Sequence, residues 1–144
     1  MKYRPIVDIW GEGAFESDQA IDFVPHFKFV GAQAGIDLIN GALKTVANVP
    51  VDEYLEEDPA ANALAAAGVL AAAMGSPIET SSFCGAIAVD WVDWSKPEVP
   101  PQTVALAHRA LLRILGPESE LAELWDEQGD HWRTSLIAFS TTFT

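Results

Sequence analysis

The stretch A-A-N-A-L-A-A-A-G-V-L-A-A-A-M-G, from Ala60 to Gly75, is the longest apolar part of the chain. It is mostly alanine and shorter than the roughly 20 residues that a membrane-spanning helix needs. Pro59 suits the first turn of a helix, and Gly75 suits the position just past its end. The stretch therefore predicts a buried helix over about 59–74. Because alanine lies on nearly every side, neighbours can approach from all directions, and we expect this helix to be central.

Apolar residues recur at helical spacing through most of the remaining chain. The first helix, capped by Ser17 or Asp18, meets Pro25, which is unfavourable inside a helix and should shorten or kink it. In the second helix, Gly35 and Gly41 indicate close packing. Beyond a proline-rich linker at 96–102, Asp130 is expected to cap the last helix. Helices are thus predicted from residue 17, over about 32–46 and 59–74, over 103–115 and 118–128, and from 130 onward.

The segment 80–94 fits two structures. Its serines can cap a helix, and Ala86, Ile87 and Trp91 keep helical spacing. Its β-branched residues also suit a strand. A helix is favoured because the only other candidate strand is the short stretch 5–9.

The totals describe one domain. A chain of 144 residues with 49% hydrophobic residues is of ordinary domain size and can bury a core. We predict a mainly α protein, a compact single-domain helical bundle of about six helices over 1–144. Within it, 1–16 form an irregular N-terminal segment and 17–144 the helical body. Cys84 is the only cysteine, so we expect a small buried hydrophobe in a reducing compartment.

Charge is the strongest global signal. The chain has 21 acidic and 8 basic residues, which give a formal net charge of −13. Such a field disfavours nucleic acid and anionic membranes. No secretory signal is recognisable at the start, and a cytoplasmic location is expected. Between Lys44 and Lys96 there is no basic residue but there are eight acids, an arrangement that suits a basic protein partner.

The two ends of the chain carry a resemblance. The first block, W-G-x-G-x-F followed by acids and A-x-D, is formed by Trp10, Gly11, Gly13, Phe15, Asp18, Ala20 and Asp22. The last is S-E-L-x-E-L-W-x-E at 119–127, followed by D-x-W-R at 130–133. With the alanine-rich helix between them, these blocks resemble domain-of-unknown-function family 4259, whose members are small and mostly bacterial. The resemblance implies a compact bacterial helical domain and no catalytic residue. The chain departs from the family in having Lys2 to Ile9 before the first block and Pro25-His26 in the first helix.

Catalytic and metal chemistry have weak signals. Asp18, Asp22 and His26 fall at i, i+4 and i+8, on one face of an ideal helix, and such a set can hold a divalent metal. Pro25 disturbs that register, and the alternative is helix-start chemistry, with Asp18 as the cap. Serines can be combined on paper with His26, His108 or His131, but no nucleophile-elbow motif is present and His108 is read as a surface residue. Gly11 and Gly13 indicate a turn rather than a phosphate loop. No cofactor is expected.

Five tryptophans are many for this length. They can line a ligand pocket or a protein-binding face, where tryptophan is enriched, or fill the core. Helical spacing favours the core. Trp94, which adjoins the proline linker, is the expected exposed exception.

The sequence therefore favours a non-enzymatic acidic cytoplasmic binding protein of unknown function. A concrete form is an inhibitor or immunity-like protein whose acids cover the basic cleft of a toxin or nuclease. The alternatives are a metal-dependent enzyme that uses the N-terminal acidic cluster, and a purely structural homo-oligomer subunit. The residues expected to face a partner are Glu12, Glu16, Trp94, Asp52, Glu53, Glu56 and Glu57.

Overall fold

The structure is a computed structural model that describes residues 14–15, 17–77 and 80–144. These residues are mainly α-helical, as predicted, and contain no β-strand. The α-helices are α1 (Asp18–Phe23), α2 (Ala32–Ala47), α3 (Glu57–Ala73), α4 (Phe83–Ser95), α5 (Pro101–Leu115), α6 (Glu120–Asp126) and α7 (His131–Ser140). Short 3-10 helices follow α1 at Val24–Phe27 and α7 at Thr141–Phe143. Ala14 and Phe15 are helical, and the rest of the segment predicted to be irregular lies outside the described residues.

Helix α3 is the centre of the fold. It is buried along almost its whole length and contacts α1, α2, α4, α5 and α6. Its small side chains make this possible: a Cβ at Gly68 would lie 2.7 Å from Cε1 of Phe15. The aromatic residue of the first sequence block therefore packs directly on the central helix. The prediction that α3 is central is confirmed.

The two glycines of α2 have different surroundings. A Cβ at Gly35 would lie only 2.0 Å from Cζ2 of Trp91, whose side chain is 1% exposed and packs edge-on against Phe27. The close packing predicted at Gly35 is confirmed. At Gly41 an added Cβ would meet no atom within 4 Å, so the same prediction is wrong there. Gly41 lies on the exposed side of the helix, where no neighbour approaches.

The ambiguous segment 80–94 contains a helix, as favoured. Ser82 caps α4 by accepting a hydrogen bond from the Gly85 N–H at 3.0 Å. Cys84 lies in the first turn, is buried as predicted, and donates its thiol to the carbonyl of Ala20 at 3.5 Å. Burial raises the pKa of this thiol. Tertiary packing of Trp91 and Cys84 overrides the strand preference of the β-branched residues.

The observed helix ends agree with most of the predicted caps and prolines, but some boundaries differ by one or two residues. Ser17, rather than Asp18, caps α1, and its Oγ accepts from the Ala20 N–H at 3.0 Å. Pro25 ends the α-helical geometry early, since the chain continues as a 3-10 helix. Helix α3 begins two residues before Pro59, which still lies in its first turn. Asp130 occupies the N-cap position of α7 without a side-chain cap bond, so its predicted capping role is wrong. Its ψ of 7° is far from the extended geometry from which such a side chain reaches the helix.

None of the described helices is long and apolar enough to cross a bilayer.

Candidate binding surface and cavity

Arg113 organises the loop that carries the predicted acids. It lies on α5 and is only 6% exposed. Its Nε donates to the carbonyl of Val49 at 2.9 Å, and its Nη1 to that of Pro117 at 2.8 Å. Its Nη2 donates to the carbonyls of Pro50 at 3.1 Å and Glu53 at 2.6 Å. Within the described residues its partners are main-chain carbonyls and no carboxylate, so the guanidinium fixes backbone geometry.

A backbone bridge joins the same loop to the start of α6. The N–H of Leu55 donates to the carbonyl of Glu118 at 2.8 Å, and the N–H of Glu120 donates to the carbonyl of Leu55 at 2.9 Å. The Glu120 carboxylate also accepts the Glu57 N–H at 2.9 Å and so caps the first turn of α3. The loop, the beginning of α3 and the beginning of α6 are thus held as one unit.

This unit presents one acidic surface. The predicted residues Asp52, Glu53 and Glu56 are exposed, and Glu57 is half-buried. Glu118, just before α6, and Glu120 and Glu123, within it, join them, although they are at least 60 residues away in sequence. We call the following residues the acidic surface: Asp52, Glu53, Glu56, Glu57, Asp58, Glu118, Glu120 and Glu123.

The pKa of Tyr54 reflects the negative charge of this surface. Its hydroxyl donates to Oε1 of Glu123 at 2.8 Å. That hydrogen bond, followed by desolvation and the negative charges of Glu123, Glu120 and Glu118, raises the pKa of Tyr54 to about 12. Each cause favours the neutral phenol over the phenolate.

An open cavity of about 490 Å³ lies beside the acidic surface and is lined by residues of α3, α6 and α7 together with Ala14. Leu64, Leu121 and Leu136 supply apolar wall. Glu57 belongs both to the cavity wall and to the acidic surface. The two features therefore meet at one residue.

Two tryptophans form a corner of the cavity. The rings of Trp125 and Trp132 are 5.2 Å apart between centroids and inclined at 59°. Trp132 donates its Nε1 to Oδ1 of Asp126 at 2.8 Å. Arg133 pairs with Asp126, Nη2 to Oδ2 at 2.9 Å, and lies 4.5 Å from the Trp132 ring centroid. Hydrogen bonds from Arg133 and Trp132 lower the pKa of Asp126. The W-R pair of the last sequence block thus serves to fix the indole wall.

The tryptophan predictions have mixed outcomes. Trp91 is core, and Trp94 is 54% exposed, both as expected. Trp125 and Trp132 are only half-buried, because one side packs on the core while the other lines the cavity. The core prediction is therefore incomplete for these two residues.

Three polar groups of the cavity raise the question of nucleophilic catalysis. Ser135 and His131, one turn apart on α7, line the cavity with Glu57. The Ser135 hydroxyl is buried and has no hydrogen-bond partner among the described residues. A serine nucleophile needs a base within hydrogen-bond reach, and no described residue lies in that position at Ser135.

The remaining predicted residues lie elsewhere. Asp18, Asp22 and His26 are exposed, and Pro25 turns the chain so that Nδ1 of His26 lies 3.1 Å from the carbonyl of Phe23. In the described ranges no three His, Cys, Asp or Glu side chains form a group that could hold a metal ion. His108 is half-buried, 3.2 Å from the carbonyl of Ser140, rather than a free surface residue. Glu12 and Glu16 lie outside the described residues.

Comparison with known proteins gives a family and no further relative. Neither the curated proteins nor the solved structures gave a match. A family model described as a domain of unknown function, DUF4259, matches residues 8–135. This range includes the acidic surface, both indoles of the cavity and the whole of the first sequence block. Because the match covers most of the chain, the protein belongs to the DUF4259 family.

Proposed function

We propose that this protein is a non-enzymatic binding protein of the bacterial cytoplasm whose acidic surface docks a basic protein. The observation that carries the proposal is the fixation of this surface by Arg113 and by the Leu55–Ser119 bridge. Carboxylates from two distant parts of the sequence are held together on one unit.

Such fixation favours binding. Like charges placed side by side destabilise the folded chain, so their concentration here is costly without a partner. A surface that is already ordered loses less conformational entropy when a partner docks. Its field would also accelerate encounter with a positively charged protein and weaken as salt screens it.

The partner class follows from this chemistry. A cleft that binds phosphates is lined by lysine and arginine, and a rigid array of carboxylates can occupy it. The proposed role is accordingly that of an inhibitor or immunity-like protein that covers the basic cleft of a toxin or nuclease.

The test is affinity co-purification from the source organism at about 50 and 500 mM salt, since the Debye length falls several-fold over this range. A triple variant, Asp52→Asn, Glu53→Gln and Glu56→Gln, removes three charges from the acidic surface. A matched control, Asp37→Asn, Asp90→Asn and Glu98→Gln, removes three exposed charges elsewhere.

We expect a basic protein that is retained at low salt, released at high salt, lost by the triple variant and kept by the control. Retention of an acidic protein, equal retention at both salt concentrations, or equal loss in both variants would count against the proposal.

A further inference from the structure

The cavity beside the acidic surface has the size of a small-molecule site. Its volume of about 490 Å³ lies within the range of about 300–1,000 Å³ typical of ligand pockets. Its wall combines leucine side chains with the inclined indoles of Trp125 and Trp132. Such a wall suits the apolar body of a ligand.

The charge of the wall is negative. Glu57 lines the cavity and is half-buried. The Glu120 carboxylate lies next to it, because it accepts the Glu57 N–H. Of the described residues that line the cavity, none is lysine or arginine. An anionic ligand would be repelled, whereas a cation would gain a partner.

We propose that this cavity binds a small organic cation, an amine or quaternary ammonium compound with an apolar body. The cation would lie against an indole face, where the ring quadrupole attracts positive charge, and near the Glu57 carboxylate. Arg133, which does not line the cavity, already stacks on Trp132. Trp125 is therefore the main aromatic contact of the ligand.

The test uses protein labelled with 5-fluorotryptophan and followed by fluorine NMR. The probe is benzyltrimethylammonium, titrated at about pH 8, above the range in which an unperturbed imidazole titrates. Resonances are assigned with single tryptophan-to-phenylalanine variants. We expect the signals of Trp125 and Trp132 to shift with one saturable curve while that of the exposed Trp94 stays in place.

Two comparisons isolate the charge. Choline should bind at least about fivefold more tightly than its neutral isostere 3,3-dimethylbutan-1-ol, because the isostere loses both the ion pair and the cation–π contact. Glu57→Gln should weaken benzyltrimethylammonium binding by about the same factor. Glu56→Gln, a neighbouring exposed carboxylate outside the cavity wall, should change it less than about twofold.

Two further variants isolate the indole. Trp125→Ala should abolish the shift of Trp132, and Trp94→Ala should leave it intact. Glu57→Gln, which removes only a charge, keeps the proposal testable where Trp125→Ala does not fold.

Equal affinity for choline and its neutral isostere, equal effects of Glu57→Gln and Glu56→Gln, or no saturable shift at Trp125 would overturn the inference. It does not depend on the basic protein partner. Its failure would leave the salt-dependent co-purification result unchanged.

Discussion

Replacing Arg113 by methionine tests the central structural argument, because methionine keeps an unbranched apolar stem and removes the guanidinium. Four main-chain carbonyls lie 2.6–3.1 Å from its nitrogens, and a fifth, that of Glu118, lies at 3.4 Å. A hydrogen bond to a charged group contributes about 1.5–3 kcal/mol, but these terms cannot be summed. The cost of burying the charge also disappears, and carbonyls near the surface can be rehydrated.

We therefore expect Arg113→Met to lower the free energy of unfolding by about 3–4 kcal/mol, near the loss found when a buried charge network is broken. With a urea dependence of about 2 kcal/mol per molar, the unfolding midpoint should fall by about 1.5–2 M, as followed by circular dichroism. Amide hydrogen exchange at Leu55 and Glu120 should accelerate as well, since Arg113 holds the loop in which their bridge lies.

The control is Arg109→Met, which removes the same charge one turn earlier on the exposed side of α5. A surface change of this kind alters stability by less than about 0.5 kcal/mol. If the two variants unfold within that margin of each other, the guanidinium does not hold the loop and Arg113 does not fix the acidic surface.

Two further predictions concern packing and pH. In urea unfolding, Gly35→Ala should destabilise the protein by about 2–3 kcal/mol because the new Cβ overlaps Trp91. Gly41→Ala, in open space on the same helix, should stabilise it by about 0.5–1 kcal/mol. Equal effects of the two substitutions would refute the packing explanation. In a chain whose other tyrosine is phenylalanine, phenolate absorbance of Tyr54 should titrate near pH 12, and Glu123→Gln should move the midpoint toward 10. Because the pKa of Tyr54 in the folded protein is raised from 10.0, the contribution of its hydrogen bond to stability is complete below pH 10 and is lost as the pH rises from 10 to about 12. The free energy of unfolding should therefore depend less steeply on pH over that interval in Tyr54→Phe. A wild-type titration midpoint near 10 would contradict the hydrogen bond.

Local sequence signals predict most of the helices. Alanine content and the residues at its ends locate α3, and serines at 17 and 82 do form side-chain caps. The predicted cap at Asp130 fails because capping also requires an extended backbone, which composition does not report. Likewise, nothing in the local pattern distinguishes Gly35 from Gly41, since only the position of Trp91 on another helix separates them.

The binding features depend on contacts between distant residues. Arg113 reads as one more charge on an amphipathic helix, although it lies on the same stripe as the buried Leu106 and Ala110. Its acceptors at Val49, Pro50 and Glu53 are main-chain carbonyls, which every residue has, so the residue types at these positions do not reveal them. The position of a cationic residue on the buried stripe of α5 is a sequence signal that Arg113 is buried. That signal does not identify the groups to which Arg113 donates its hydrogen bonds.

The cavity is hidden from sequence for a related reason. Trp125 and Trp132 are seven residues apart on different helices, and they meet because the chain reverses at Gly129, whose φ of 111° few other residues adopt. Glu57 and Glu120 are joined across 63 positions by one hydrogen bond. Helical periodicity can assign each indole to an inward face, but it cannot separate packing on the core from lining a cavity.

Glu57 connects the two proposals, because it belongs to the acidic surface and to the cavity wall. A cation held in the cavity would neutralise this carboxylate and reduce the negative potential that attracts a basic protein. Binding free energies are reciprocal, so the basic protein would weaken cation binding by the same factor. With one charge of eight involved and solvent close by, the coupling should be about 1 kcal/mol or less. If both proposals hold, the cavity would act on the acidic surface only as a weak modulator, so each proposal can be tested with the other site empty.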